Sequence, residues 1–213
     1  MKLKLLIPDS QNEIQLQSFQ KFVQIEEPTD FDVLNCFYGI DQKKGFGMKA
    51  KDVTELVKNI NELLEDNPED LVTTFKLDGK KFGFIPNLDN MTYGENNDII
   101  NYINDPKLWH KLMAVFFRPI TQEQFGKYLI EPYEGSDKYS EIMKRAPLDA
   151  LLSTKVFFYN LLNDFMSCIP AYIRKESQHL SGESGELIQR YTDLLEEDLT
   201  TLRKSLTSHF ISV

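Results

Sequence analysis

Apolar residues recur at helical spacing through much of the chain, and in two segments they surround the predicted helix. In residues 106–118 the large apolar residues are Leu108, Trp109, Leu112, Met113, Val115, Phe116 and Phe117. A helix that is apolar nearly all round is buried inside a protein rather than laid on its surface. Residues 147–169 repeat this pattern. We therefore predict that these two helices form the centre of the core.

A different pattern, with apolar residues at alternate positions, marks residues 71–86 as a β-hairpin. Asp78-Gly79 is a two-residue turn of the kind that accepts positive φ at both positions. That turn pairs Leu77 with Lys80 and Phe75 with Phe82, so one face is apolar. An isolated hairpin is marginally stable. We therefore predict an α+β fold, predominantly helical, with a small antiparallel sheet made of this hairpin and an N-terminal strand at residues 2–7.

Two local signals bear on charged residues near the core. Thr92 and Glu95 have the spacing of a capping box that opens a helix. Arg118 stands before Pro119, which cannot continue a helix. We interpret Arg118 as a capping residue or a member of a buried ion pair rather than a phosphate ligand. His110 falls on the least apolar side of its helix, so we expect a histidine at the rim of the core rather than a general base.

The C-terminal part differs in composition from the rest. Residues 176–185 are polar and rich in serine and glycine, which is typical of a flexible linker. We predict a domain at residues 1–175, this linker, and a C-terminal amphipathic helix at residues 186–213. Along that helix a heptad seam alternates in steps of four and three, as in a coiled coil; it comprises Ile188, Thr192, Leu195, Leu199, Leu202 and Leu206.

The seam has two interpretations. The helix either folds back on its own domain or associates with a second copy or another partner, and both arrangements bury the same leucines. The candidate partner-binding residues are Ile188, Leu195, Leu199, Leu202 and Leu206.

Charge and cysteine content narrow the function. The 213-residue chain has a net charge of −9, which disfavours binding to the phosphate backbone of nucleic acids. Residues 52–70 are strongly acidic and form either a solvated surface or a docking site for a basic partner. Cys36 and Cys168 have neither disulfide nor metal-site spacing. With no signal-peptide core and no apolar run long enough to span a bilayer, we expect a reducing, intracellular compartment and no membrane association.

No motif in the sequence points to catalysis. The histidines at 110, 179 and 209 have no metal-ligand spacing, and no nucleotide-binding loop or nucleophile elbow is present. Glu131 and Glu134 lie close together, but their spacing alone does not make them an acid–base pair. We therefore expect a non-enzymatic protein with no cofactor and no bound metal.

Five elements taken together resemble a family of tailed-bacteriophage morphogenesis proteins. They are an early glutamine- and phenylalanine-rich helix, a hairpin, a threonine cap, a helix ending in Arg-Pro, and a later Val-Phe-Phe helix. In this chain they occupy residues 17–22, 75–85, 92–98, 113–119 and 156–158. The resemblance covers about residues 8–170 and stops before the heptad seam.

The resemblance implies a protein of phage assembly. A tail-assembly chaperone would hold the tape-measure protein in the host cytoplasm until the tail tube forms. A permanent structural subunit of the neck, tail or capsid fits the same elements and would remain in the virion. In both cases the expected partners are other phage structural or tail proteins, with a homo-oligomer through the C-terminal helix as a further possibility.

Overall fold

The computed structural model describes residues 5–66, 68–176 and 183–210, with part of the side chains in the last two helices. Its helices are α1 (Leu16–Phe22), α2 (Asp30–Tyr38), α3 (Gln42–Gly45), α4 (Ala50–Glu65), α5 (Tyr93–Tyr102), α6 (Trp109–Phe116), α7 (Asp137–Met143), α8 (Leu148–Glu176) and α9 (Glu183–Phe210). Its strands are β1 (Thr74–Leu77), β2 (Lys80–Phe84), β3 (Phe117–Gln124) and β4 (Lys127–Ile130). The strands form one antiparallel sheet in chain order, so the predicted helix-rich α+β class is confirmed.

The chain divides into two compact units, Met1–Ser153 and Thr154–Val213, and the division falls inside α8. The linker predicted at residues 176–185 therefore lies within the second unit, and its residues 177–182 are outside the described part of the chain. Residues 183–185 are already helical, so α9 begins three residues before the predicted start at 186. Ser184 and Gly185, which contributed to the linker prediction, are tolerated in the first turn of a helix, where few backbone hydrogen bonds depend on them.

The first hairpin follows its local sequence. Phe75 pairs with Phe82 and Leu77 pairs with Lys80, as the turn predicts. Asp78 and Gly79 have φ values of 50° and 75°. These positive angles match the right-handed twist of the two strands. The register and the turn geometry of this hairpin are therefore confirmed.

The partner of the hairpin differs from the prediction. β2 pairs with β3, and the described residues 5–8 of the N-terminal segment are not in a strand. The helix predicted to run to residue 118 ends at Phe116, and the chain continues as β3 through Arg118 and Pro119. A residue that precedes proline is driven from helical to extended conformation, so Arg118 enters a strand. The prediction that Arg118 ends a helix is wrong.

The core of the first unit is centred on α6 and the start of α8. Six of the eight residues of α6 are buried, and His110 and Lys111 are partly exposed. On the sheet side, the rings of Phe84 and Phe116 stack with centroids 5.6 Å apart. The first two turns of α8 bury Leu148 and Leu151. The predicted central role of α6 is confirmed. In α8 only the start is buried, because residues 156–159 are partly exposed and the division between the two units falls at Ser153. This helix also continues past its predicted end at residue 169 and through the proline at 170 to Glu176.

A tyrosine laid over a glycine fixes the second hairpin to the sheet. The ring of Tyr128, in β4, covers Gly83, in β2. The Tyr128 hydroxyl lies 2.9 Å from the carbonyl oxygen of Phe84 and 3.2 Å from that of Thr73. A side chain on Gly83 would occupy the space of this ring. The contact therefore connects β4 to strands that are not its neighbours.

We predict that Gly83→Ala destabilises the first unit by about 2 kcal/mol, as overpacking of a well-filled site does. The new Cβ atom would lie 2.6 Å from Tyr128 Cε2 and 3.0 Å from Ile120 Cγ1. Urea unfolding followed by tyrosine fluorescence measures the change. Gly47→Ala is the matched control, because its Cβ would meet the Lys44 carbonyl oxygen at an ordinary 3.5 Å. Equal urea midpoints for the two variants would show that packing of the Tyr128 ring does not require glycine at position 83.

Candidate protein-interaction surfaces

The predicted seam residues all lie on the continuous helix α9. Ile188 is partly buried, and Thr192, on the same seam, is buried. The Thr192 hydroxyl donates to the carbonyl oxygen of Ile188. The side chains of Leu195, Leu199, Leu202 and Leu206 lie outside the described residues. The described part of the seam is thus covered, and its role in partner binding stays a prediction.

A second apolar stripe on α9 is exposed. Leu187, Tyr191 and Leu194 are 53%, 65% and 49% exposed. Their spacing of four and three residues places them on one side of the helix. Exposed charged residues lie beside this α9 stripe, namely Glu186, Arg190, Asp193 and Glu197. The stripe is an apolar surface with a mainly acidic border.

The sequence shows the periodicity of this stripe, because each stripe residue directly precedes a residue of the seam. Both sets of positions advance in steps of four and three, but the seam runs further along the helix. Sequence reasoning therefore selected the longer pattern and missed the shorter one. Periodicity shows that a helix has an apolar side and does not tell which of two sides is covered.

The second hairpin projects beyond the sheet. β2 pairs with β3 over residues 117–119, whereas the pairing of β3 with β4 continues to Gln124 and Lys127. Every residue from Thr121 to Lys127 is exposed, as is Leu129. We refer to residues 121–129 as the β3–β4 arm. Tyr128 and an ion pair between Glu123 and Lys81 hold the arm to β2, and its tip at Phe125 is exposed.

The tip of the arm carries an unusual turn residue. Phe125 and Gly126 have φ values of 50° and 74°, nearly the same as Asp78 and Gly79 in the first hairpin. Asparagine, aspartate and glycine are the usual residues at such positions, and a bulky side chain there is an outlier. The Phe125 side chain is also 94% exposed. Neither the turn nor the core of the protein explains why phenylalanine occupies this position.

The base of the arm is fixed by a buried ion pair. Arg118, 7% exposed, lies 2.6 Å from a carboxylate oxygen of Glu95, 3% exposed. The guanidinium also donates to the carbonyl oxygens of Glu131 and Val115, at 2.8 Å and 3.1 Å. Its carbon atom lies 5.4 Å from the centre of the Tyr133 ring. Of the two roles expected for Arg118, membership of a buried pair is the one observed.

Glu95 connects this pair to the start of α5. Burial by itself raises the pKa of the Glu95 carboxyl, but hydrogen bonds from the Thr92 backbone and hydroxyl, together with Arg118, outweigh it and hold the pKa below its ordinary 4.5. The Thr92 N–H and hydroxyl donate to Glu95 at 2.6 Å and 2.8 Å, and Glu95 N–H donates to the Thr92 hydroxyl oxygen at 3.2 Å. The predicted capping box is confirmed, and Glu95 both caps the start of α5 and pairs with Arg118.

Other titratable groups in the described residues form no recognisable catalytic arrangement. His110 is half-buried at the rim of the core, where burial lowers its pKa, and its Nδ1 lies 3.3 Å from the Gln20 amide nitrogen. Burial lowers the pKa of Lys155 to about 7. Within the part of the chain that the structure describes, no group of three or more His, Cys, Asp or Glu side chains could hold a metal ion.

The chain was compared with protein-family models, curated proteins and solved structures, and none of them matches it. Across the described residues, no helix has the length and apolar character needed to cross a membrane.

We predict that Glu95→Gln lowers the free energy of unfolding of the first unit by about 3 kcal/mol, because it leaves the buried Arg118 charge without a counter-charge. Glu123→Gln is the matched control: its partner Lys81 is at 2.7 Å, but the pair is exposed, so the loss stays below about 1 kcal/mol. Urea unfolding at pH 7 separates the two variants.

The same pair predicts a pH dependence. Because the pKa of Glu95 is lowered in the folded protein, its contribution to stability is present above the ordinary carboxyl pKa of 4.5 and is lost as the pH falls through the folded value. The difference in unfolding free energy between the native chain and Glu95→Gln should therefore shrink on acidification. A difference that stays constant down to pH 3 would contradict the assignment.

We predict that Phe125→Asn leaves the first unit as stable as before or stabilises it by about 1 kcal/mol, because asparagine tolerates positive φ better than phenylalanine. Phe125→Ala is the control. It removes the same exposed ring, but alanine does not tolerate positive φ as asparagine does, so this variant should not stabilise the first unit. Thermal unfolding at equal protein concentration compares the three chains. A marked loss of stability in Phe125→Asn would show that the ring packs against the fold.

Proposed function

We propose that this chain is a non-enzymatic bacteriophage assembly protein that acts by protein–protein binding, in the manner of a tail-assembly chaperone. The observation that carries the proposal is the α9 stripe. Leu187, Tyr191 and Leu194 expose apolar surface on a long helix, whereas the described seam residues Ile188 and Thr192 are partly buried and buried. Apolar residues that a protein leaves together in water commonly mark a binding site for another protein.

Three further features support the proposal. The resemblance of residues 8–170 to phage morphogenesis proteins supplies the setting, which is the host cytoplasm during assembly. An amphipathic helix with exposed apolar positions at i, i+4 and i+7 fits the way in which helices bind in grooves of partner proteins. A net charge of −9 keeps such a protein soluble while it presents that helix.

A permanent structural subunit of the neck, tail or capsid is the second candidate, and the β3–β4 arm favours it. A projecting hairpin with an exposed aromatic tip is suited to a lasting contact with a neighbouring subunit. In that case the chain would stay in the virion, and the arm and α9 would both be buried between subunits.

The experiment that separates the candidates is quantitative mass spectrometry of this chain in purified particles and in the lysate that produced them. Abundance in the lysate with absence from particles is expected for an assembly chaperone. A copy number in particles that matches a symmetric ring would identify a structural subunit instead. In parallel, affinity-tagged chain is recovered from infected cells after cross-linking, and the phage proteins bound to it are identified.

The variants Leu187→Ser with Tyr191→Ser test whether the stripe is responsible. We expect this double variant to lose the cross-linked phage partner while its helical circular dichroism stays unchanged. Tyr172→Ser, which removes an exposed tyrosine of α8, is the control and should retain the partner. The proposed function is wrong if the native chain recovers no phage protein after cross-linking and the chain itself is absent from particles.

A further inference from the structure

The end of the sheet that carries the β3–β4 arm is positively charged, in contrast to the chain as a whole. Because the four strands are antiparallel and in chain order, the Asp78-Gly79 turn and the Phe125-Gly126 turn lie at the same end. Four lysines lie at or beside these turns, namely Lys76, Lys80, Lys81 and Lys127.

The carboxylates at this end are already engaged. Glu123 pairs with Lys81 at 2.7 Å, and Asp78 pairs with Arg145 through both of its oxygens. The lysines at positions 76, 80 and 127 are exposed. The surface around Phe125 therefore keeps an excess of positive charge and favours an acidic partner.

The α9 stripe has the complementary properties. Its apolar residues lie within about 10 Å along the helix, since seven residues separate Leu187 from Leu194 at about 1.5 Å each. This length suits one phenyl ring and a neighbouring leucine such as Leu129, which is exposed on the arm. Among the described residues beside the stripe, the exposed carboxylates of Glu186, Asp193 and Glu197 outnumber the one exposed cation, Arg190.

We propose that the β3–β4 arm of one copy of this chain binds the α9 stripe of a second copy, with Phe125 seated against Leu187, Tyr191 and Leu194. Lys127 of the arm and the exposed lysines of the first hairpin then face the carboxylates beside the stripe. This contact explains the residue at position 125, because a phenylalanine that is unfavourable for the turn becomes the apolar anchor of an interface.

Charge also disfavours contacts between like surfaces. Two stripes placed together would bring carboxylates against carboxylates, and two of these sheet ends would bring lysines against lysines. Binding of arm to stripe joins two different surfaces. Such contacts close into a two-fold dimer with reciprocal arm-to-stripe contacts or into a larger ring, or they extend as a filament. The inference concerns copies of this chain and does not depend on the binding of other phage proteins.

The contact is small, because it involves the tip of one hairpin and two turns of one helix. Interfaces of this size are weak in dilute solution. Sedimentation velocity over a range of protein concentrations is the appropriate measurement. We expect the native chain to shift from monomer to larger assemblies as the concentration rises, and to shift less in high salt.

Two single variants give the decisive test. Phe125→Asn removes the anchor from the arm, and Tyr191→Lys places a positive charge in the stripe, where it repels Lys127 and the exposed lysines of the first hairpin. Each variant alone should associate at least about tenfold more weakly than the native chain, as expected for loss of an interface anchor. An equimolar mixture of the two should form a dimer and nothing larger, because one intact arm and one intact stripe remain.

Tyr93→Asn is the control for non-specific adhesion. Tyr93 is an aromatic residue of α5 that is 86% exposed and belongs to neither surface. This variant should assemble like the native chain. Circular dichroism and thermal unfolding confirm that every variant is folded before its sedimentation is compared.

Several results would overturn the proposal. A native chain that stays monomeric at every concentration would exclude self-association, and a Phe125→Asn chain that assembles normally would exclude the arm. If both variants are monomeric but their mixture forms no dimer, the arm and the stripe do not bind each other. These outcomes are independent of the particle measurement, so failure here leaves the proposed function to be decided separately.

Discussion

The buried ion pair between Arg118 and Glu95 is the interaction on which the arrangement of the first unit depends. A buried guanidinium without a counter-charge is strongly unfavourable. A protein tolerates a buried guanidinium only if its N–H groups have hydrogen-bond acceptors. Glu95 comes from α5, the Val115 carbonyl from the end of α6, and the Glu131 carbonyl from the residue after β4. One side chain thus requires three elements to be in place at once.

This requirement explains why the second hairpin can project. β3 starts directly after α6, and Arg118 is its second residue, so the strand is anchored where it leaves the core. Tyr128 adds a second anchor by reaching over Gly83 to the Phe84 carbonyl. The exposed ion pair between Glu123 and Lys81 adds a third contact further along the arm. An anchored, exposed arm is the kind of element from which a protein can present one residue to a partner.

Both exposed features contain residues that folding does not explain. Phe125 is unfavourable in its turn, and Leu187, Tyr191 and Leu194 keep apolar area in contact with water. Single exposed apolar residues are common on protein surfaces, but an anchored arm with an aromatic tip and an aligned stripe on a helix are organised features. Their opposite local charges are what connect them in the inference of arm-to-stripe assembly. In the proposed role in phage assembly, repeated contacts of this kind have a use.

Elements that depend on short stretches of the chain could be predicted from sequence. The Asp78-Gly79 turn, the Thr92–Glu95 cap and the burial of α6 were all predicted, because turn angles, capping bonds and helical periodicity involve residues a few positions apart. The predicted end of α6 at residue 118 was too late, because the prediction followed the run of seven large apolar residues. It gave too little weight to the effect of Pro119 on the conformation of the residue before it. The role of Arg118 was narrowed to two alternatives, since sequence alone does not tell whether an acidic partner is near.

The sequence by itself therefore determined the fold class, the first hairpin and the existence of an amphipathic α9. Only the tertiary structure decided that β3, rather than the N-terminal segment, pairs with β2. It also decided that the described part of the seam at Ile188 and Thr192 is covered while Leu187 and Tyr191 are exposed. The physical reason is that periodicity records which side of an element is apolar. The neighbour that covers that side is selected by packing free energy summed over residues far apart in the chain.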